Sequence, residues 1–125
     1  MEKERWIVDG MNVIGSRPDG WWRDRPAAMR DLARRLDEHA RRTGDEVTVV
    51  FDGRPFDLDP DGVTVVFASR RGPNAADDDI VRMVEADEDP GGLRVVTSDH
   101  ALARRVAELG AEVVSSGAFR QLFEA

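Results

Sequence analysis

With 125 residues, 41% of them hydrophobic and 34% charged, the chain has room for a single domain, residues 1–125, and none of its apolar runs reaches the ~20 residues that cross a bilayer. Zero cysteines exclude disulfides, thiolate zinc sites and cysteine nucleophiles, and two histidines, His39 and His100, are too few for a histidine-based metal site. A net charge of -7 argues against a protein that coats nucleic acid with bulk positive charge.

The first residues, Met1-Glu2-Lys3-Glu4-Arg5, lack the apolar core and cleavage site of a signal peptide, so a cytoplasmic location is expected. The run Trp6-Ile7-Val8 then ends in Asp9-Gly10, which predicts a buried strand delivering Asp9 to its carboxyl edge and a turn where Gly10 lets a ligand or backbone approach closely. Ser16 to Pro26 reads as a loop in which one of the adjacent rings Trp21 and Trp22 is buried and the other is available for base stacking. Pro26 suits a first helical position, and Met29, Leu32, Ala33, Leu36 and Ala40 recur at helical spacing up to the stop at Gly44. On the outer face Asp31–Arg35, Asp37–Arg41 and Glu38–Arg42 are acid-before-base pairs four apart.

Glu46 to Phe51, followed by Asp52, has the β-branched content of a central parallel strand. Phe56 to Gly62, with Asp57, Asp59 and Asp61, is a polar turn that matches a calcium loop only loosely. Val63 to Phe67 is a third strand, closed by Ala68 to Pro73. Asn74 begins a helix with Ala76, Ile80, Met83 and Val84 inward and Asp77-Asp78-Asp79 in its first turn, where the dipole favours acids. Asp77 can point at the sheet edge, and Asp78 can pair outward with Arg82. Leu93 to Thr97 is a fourth strand feeding, through Ser98 and Asp99, a helix with Leu102, Ala103, Val106 and Leu109 inward and Gly110 as its stop. Glu112 to Ser115 is a fifth strand, and Ser116 caps a last helix carrying Phe119, Leu122 and Phe123.

Strands alternating with helices at these lengths imply an α/β, doubly wound, mostly parallel five-stranded sheet ordered 3-2-1-4-5. That order gathers Asp9, Asp52 and Asp99 at one edge, with Asp77 leaning in from the third strand's helix. Carboxylates clustered without histidine or cysteine are a ligand set for Mg²⁺ or Mn²⁺, which can activate water and stabilise the leaving oxygen of a phosphodiester. Taken singly, each acid also reads as a turn former or helix cap. Lys3 is the only lysine, and Arg17, Arg23, Arg25, Arg54, Arg70 and Arg71 follow strand ends, a rim suited to phosphates. A genome's base composition accounts for the arginine bias equally well.

The segments Asp9-Gly10-Met11-Asn12-Val13-Ile14-Gly15, Val50-Phe51-Asp52-Gly53, Ala76-Asp77-Asp78 and Thr97-Ser98-Asp99 resemble, in order and over nearly the whole chain, the NYN domains, PIN-like ribonucleases, and especially their bacterial YacP-like branch. The resemblance implies a PIN-like fold, a divalent metal, and endonucleolytic cleavage of RNA. It matches Asp9, Asp77 and Asp99 to metal-binding catalytic acids, Asn12 to the asparagine that orients the site, and Ser98 to the small polar residue before the last acid. Asp52 matches a second strand-end acid whose part as a direct ligand stays open. Met11 stands where an aromatic is common and Ala75 where a polar residue often precedes Ala-Asp, departures that bear on substrate preference.

Other acid-bearing α/β sites fit less well. A phosphoacceptor receiver needs a lysine after its last strand, a haloacid-dehalogenase-type phosphatase a second aspartate where Met11 stands, and a P-loop a Gly-Lys pair. The remaining alternative is a non-catalytic module of the same fold that binds RNA or a protein and keeps its acids as a structural metal site. The sequence leaves open whether the chain acts alone, as a homodimer, or on a ribosome or other RNA-containing particle.

Overall fold

The computed structural model describes residues 3–58, 60–72 and 74–124; Asp59 and Pro73, both read as turn residues, fall outside them, as does the side chain of Phe123. Five strands, β1 (Arg5–Asp9), β2 (Glu46–Phe51), β3 (Val63–Phe67), β4 (Leu93–Val96) and β5 (Glu112–Val114), form one sheet in the order β3-β2-β1-β4-β5. Every neighbouring pair is parallel, as expected. The helices are α1 (Gly10–Gly15), α2 (Arg25–Thr43), α3 (Ala75–Ala86), α4 (His100–Glu108) and α5 (Ser116–Glu124).

Alternation along the strands divides the core. Trp6 and Val8 of β1, Val47, Val49 and Phe51 of β2 and Val96 of β4 pack with Val13 and Ile14 of α1, Met29, Leu32 and Leu36 of α2, and Phe119 of α5. Ile7, Val50, Leu93 and Val95 face the other way, onto Ile80 and Val84 of α3 and Leu102 and Val106 of α4. Both sheet faces are therefore covered, which explains the nearly unbroken apolar runs of the central strands.

The longest helix is delimited by its own sequence. Asp24 Oδ1 accepts the Ala27 amide at 3.1 Å, Pro26 occupies the first turn, and Gly44, at φ 77°, closes α2 through its amide to the Ala40 carbonyl. Asp31–Arg35 and Asp37–Arg41 pair as predicted, but Glu38 reaches back to Arg34 at 3.1 Å.

Several local expectations change. Asp9-Gly10 opens directly into α1 instead of a turn, and the following loop carries a single 3-10 turn, Trp21–Arg23. Leu109 follows the last residue of α4 and is 36% exposed, because the chain leaves the helix there and Ala111 takes the buried place. Ser115 Oγ, rather than Ser116, accepts the Ala118 amide at the start of α5, since the Ser116 hydroxyl is buried and engaged elsewhere.

Candidate active site

The same alternation that divides the core aims the acids. Asp9 shares the parity of Ile7, Asp52 that of Val50, and Thr97 and Asp99 that of Val95, so all continue the face covered by α3 and α4. Asp9 is buried at 5% exposure, and its Oδ2 accepts the Thr97 hydroxyl at 2.8 Å. Burial pushes its carboxyl up to about 6; the Thr97 hydroxyl pulls the other way, and the charges of Asp77 and Asp52 push it further up.

Asp52 reaches the first turn of α3, where its Oδ1 accepts the Ala76 amide at 3.1 Å. Its charge therefore sits at a helix amino terminus. Asp77, in that same turn, is raised by burial and by the charges of Asp99 and Asp52, with Arg105 pulling it down. Asp99 caps α4, its Oδ1 accepting the Ala101 and Leu102 amides at 2.9 and 3.1 Å, while its own amide donates to Thr97 Oγ1 at 3.1 Å. Thr97 thus ties Asp9 to Asp99.

Asn12 is the second tie. Its Oδ1 accepts the Ser98 amide at 2.8 Å and the buried Ser116 hydroxyl at 2.7 Å, and Ser98 Oγ accepts the Ser116 amide at 2.9 Å. Three segments distant in the chain, α1, the β4–α4 turn and α5, are locked beside the acids. Ser98, expected to meet substrate, gives its amide and one lone pair of its hydroxyl to this lock, and the residue is exposed.

As an ion site, the donor chemistry fits a hard divalent cation: oxygen alone, with Oδ2 of Asp52, Oδ2 of Asp99 and the Asp77 carboxylate accepting no hydrogen bond from the described residues. The acids lie near enough to raise one another's pKa. Among the described residues no three of them stand close enough together to hold a metal ion.

A family model described as "YacP-like NYN domain" matches residues 6–125, all but the first five positions of the chain. This chain belongs to that family. Two solved structures of Rae1 (YacP) from Bacillus subtilis are similar to it. A tryptophan-to-leucine variant matches at a TM-score of 0.80 and 26% identity over 97% of this chain and 75% of that one, and the unsubstituted protein at 0.76 and 26% over 99% and 74%. No curated protein sequence matches. The family is nuclease-like, and the five-stranded parallel α/β fold seen here matches the YacP structures.

In this YacP-like NYN domain the arginine rim is divided. Arg54 and Arg71 are exposed in the loops after β2 and β3. Arg70 pairs with Asp78, as does Arg105 of α4 at 3.1 Å, and together they hold the Asp78 carboxyl below its ordinary range. Arg82, expected to pair with Asp78, binds Asp79 instead. That acid is buried, and its oxygens also accept the Ser69 amide and hydroxyl at 2.6 and 2.8 Å. Asp78 points from the opposite flank of α3, one residue being a 100° step. Arg17, Arg23 and Arg25 are exposed near the 3-10 turn, Arg23 and Arg25 lying over the Trp22 and Trp21 rings at 5.9 and 6.0 Å. Trp21 is partly buried and Trp22 is 53% exposed, as the loop reading anticipated.

Thr97, Ser116 and Arg105 are not site residues in the sequence reading: Thr97 stands only inside the Thr97-Ser98-Asp99 motif, Ser116 reads as a helix cap, and Arg105, three residues past Leu102 and one before Val106, borders the buried stripe of α4. The other two belong to the site through contacts 88 and 104 residues apart.

Proposed function

We propose that this NYN domain is a metal-dependent endoribonuclease that hydrolyses RNA phosphodiester bonds at the acid cluster. The observation that carries the reading is Asp9: a carboxylate buried at the sheet edge, pushed up to about 6, and faced by Asp77 and Asp52. A fold bears such repulsion at a cost, and a cation removes it. Asp9, Asp77 and Asp99, joined by Asp52, would hold Mg²⁺ or Mn²⁺, and the ion when bound lowers the pKa of a water and stabilises the leaving oxygen.

The chain's own residues supply placement. Thr97 fixes the Asp9 carboxylate against rotation, and the Asn12–Ser98–Ser116 lock sets the distance between α1 and the β4–α4 turn. Arg54 and Arg71, exposed on loops at the same edge, would meet the phosphates of a strand lying across it, and Arg70 would join them on exchanging Asp78 for a phosphate.

One observation favours the non-catalytic reading: Asp52 and Asp99 each give an oxygen to a helix amide, as structural caps do. Incubation with a labelled RNA of mixed structure, with and without Mn²⁺, separates the two. Wild type is expected to cleave only with metal, and Asp9→Asn to lose more than the roughly 10–100-fold that removal of an outer-sphere partner costs. RNA bound but never cut would leave the binding module as the function.

A further inference from the structure

Two arginines from different elements close on one carboxylate beside the acid cluster. Arg70, in the loop after β3, donates Nη2 to Oδ2 of Asp78, and Arg105 of α4 donates Nη1 to Oδ1 at 3.1 Å. Asp78 stands in the first turn of α3 next to Asp77, and the charge of Arg105 acts on both acids. The paired acids of α2 differ from it. Asp31 and Asp37 meet arginines three or four positions along their own helix, whereas the partners of Asp78 lie 8 and 27 residues away. Pairing along one helix face does not produce such a convergence.

Both arginines are held independently of Asp78. Ser69, just before Arg70, gives its amide and hydroxyl to the buried Asp79 at 2.6 and 2.8 Å, which fixes the base of the loop. Arg105 rides on α4, whose Leu102 and Val106 share a core with Ile80 and Val84 of α3. Asp78 is the replaceable member. Its side chain is 28% exposed, ion pairs at such a surface are weak, and water and the amino terminus of α3 still hold the carboxylate once it is freed. One oxygen to each guanidinium is also how two arginines grip the two non-bridging oxygens of a phosphodiester.

We propose that Arg70 and Arg105 form a clamp for a backbone phosphate of the RNA, and that Asp78 is its built-in competitor, filling the clamp until a phosphate displaces it. The clamp reads no base, so it sets affinity and strand position without sequence preference. The proposal rests on the nuclease reading above and adds to that site a phosphate subsite with its own gate.

The test measures binding of a labelled single-stranded RNA in buffer with EDTA, which withholds the metal-dependent cut. Asp78→Asn should bind about 2–30-fold more tightly than wild type, the worth of two exposed ion pairs. The double variant Arg70→Ala/Arg105→Ala should bind more weakly, with the slope of log K against log salt lower by ~0.7, one phosphate of a single strand. Adding Asp78→Asn to that double variant should change nothing. A gain of equal size without the arginines would make Asp78 bulk charge and overturn the proposal. So would an Asp78→Asn protein that binds like wild type and only melts lower, the mark of a structural tie. Either failure spares the nuclease reading, which Mn²⁺-dependent cleavage by wild type tests separately. The expected binding pattern with no cleavage by wild type upholds the clamp and overturns the nuclease reading, and RNA bound by none of the forms overturns both.

Discussion

Burial separates Asp9 from the other acids at the edge. Its carboxyl, raised from 3.8 to about 6, binds a proton more tightly in the folded protein than in the unfolded chain. The fold therefore loses stability as pH climbs from ~4 through ~6, and at ~1.36 kcal/mol per unit the full loss is about 3 kcal/mol. Metal-free urea melts should find Asp9→Asn about 1–3 kcal/mol more stable than wild type at pH 7.5, with the difference gone below pH 4. A variant less stable than wild type at pH 7.5 would make Asp9 a structural acceptor for Thr97 and nothing more.

At the scale of elements, the contact of α1 with β2 explains why glycine follows the aspartate. A Cβ on Gly10 would stand 2.5 Å from two ring carbons of Phe51 and 3.0 Å from the Val50 carbonyl. The close approach read from the dipeptide is thus a neighbouring strand and its side chain. Gly10→Ala should cost about 1–3 kcal/mol, the usual cost of overpacking, and weaken metal binding by displacing Asp9. Gly15, at the other end of α1, has only Trp21 at 3.8 Å, so Gly15→Ala should be neutral or stabilise by up to ~1 kcal/mol. Thermal melts of the two variants check the contrast, and equal losses would refute it.

Over the whole molecule the two edges of the sheet are opposites. At the amino edge Asp45 accepts the Glu4 amide and the Trp6 indole at 3.0 Å each and pairs with the buried His39 at 3.1 Å. Burial pushes that carboxyl up, but these partners together hold it below its ordinary value. Among the described residues the carboxyls raised by neighbouring acids, Asp9 and Asp77, are both at the carboxyl edge. Millimolar Mg²⁺ or Mn²⁺ should raise Tm at neutral pH, by about 2.7 kcal/mol of stability when the ion is at 100 times its Kd. Asp9→Asn should lose most of that gain, whereas Asp45→Asn should melt lower and keep it. A wild type indifferent to both ions would remove the metal site.

Strand order, the acids at strand ends and the limits of α2 were legible in the sequence because they depend on local periodicity, on turn and cap chemistry, and on the few topologies that alternating strands and helices allow. Tertiary structure decided which acids are buried and what each touches. Thr97 meets Asp9 across 88 residues and Ser116 meets Asn12 across 104, and nothing in either neighbourhood announces its partner. It also turned Asp78 toward Arg70 and Arg105 and Asp79 toward Ser69, although the two stand side by side in the chain. Spacing names the residues that can reach an edge; the packing of α3, α4 and α5 against that edge selects which of them lose their water, and that loss sets their charge and chemistry.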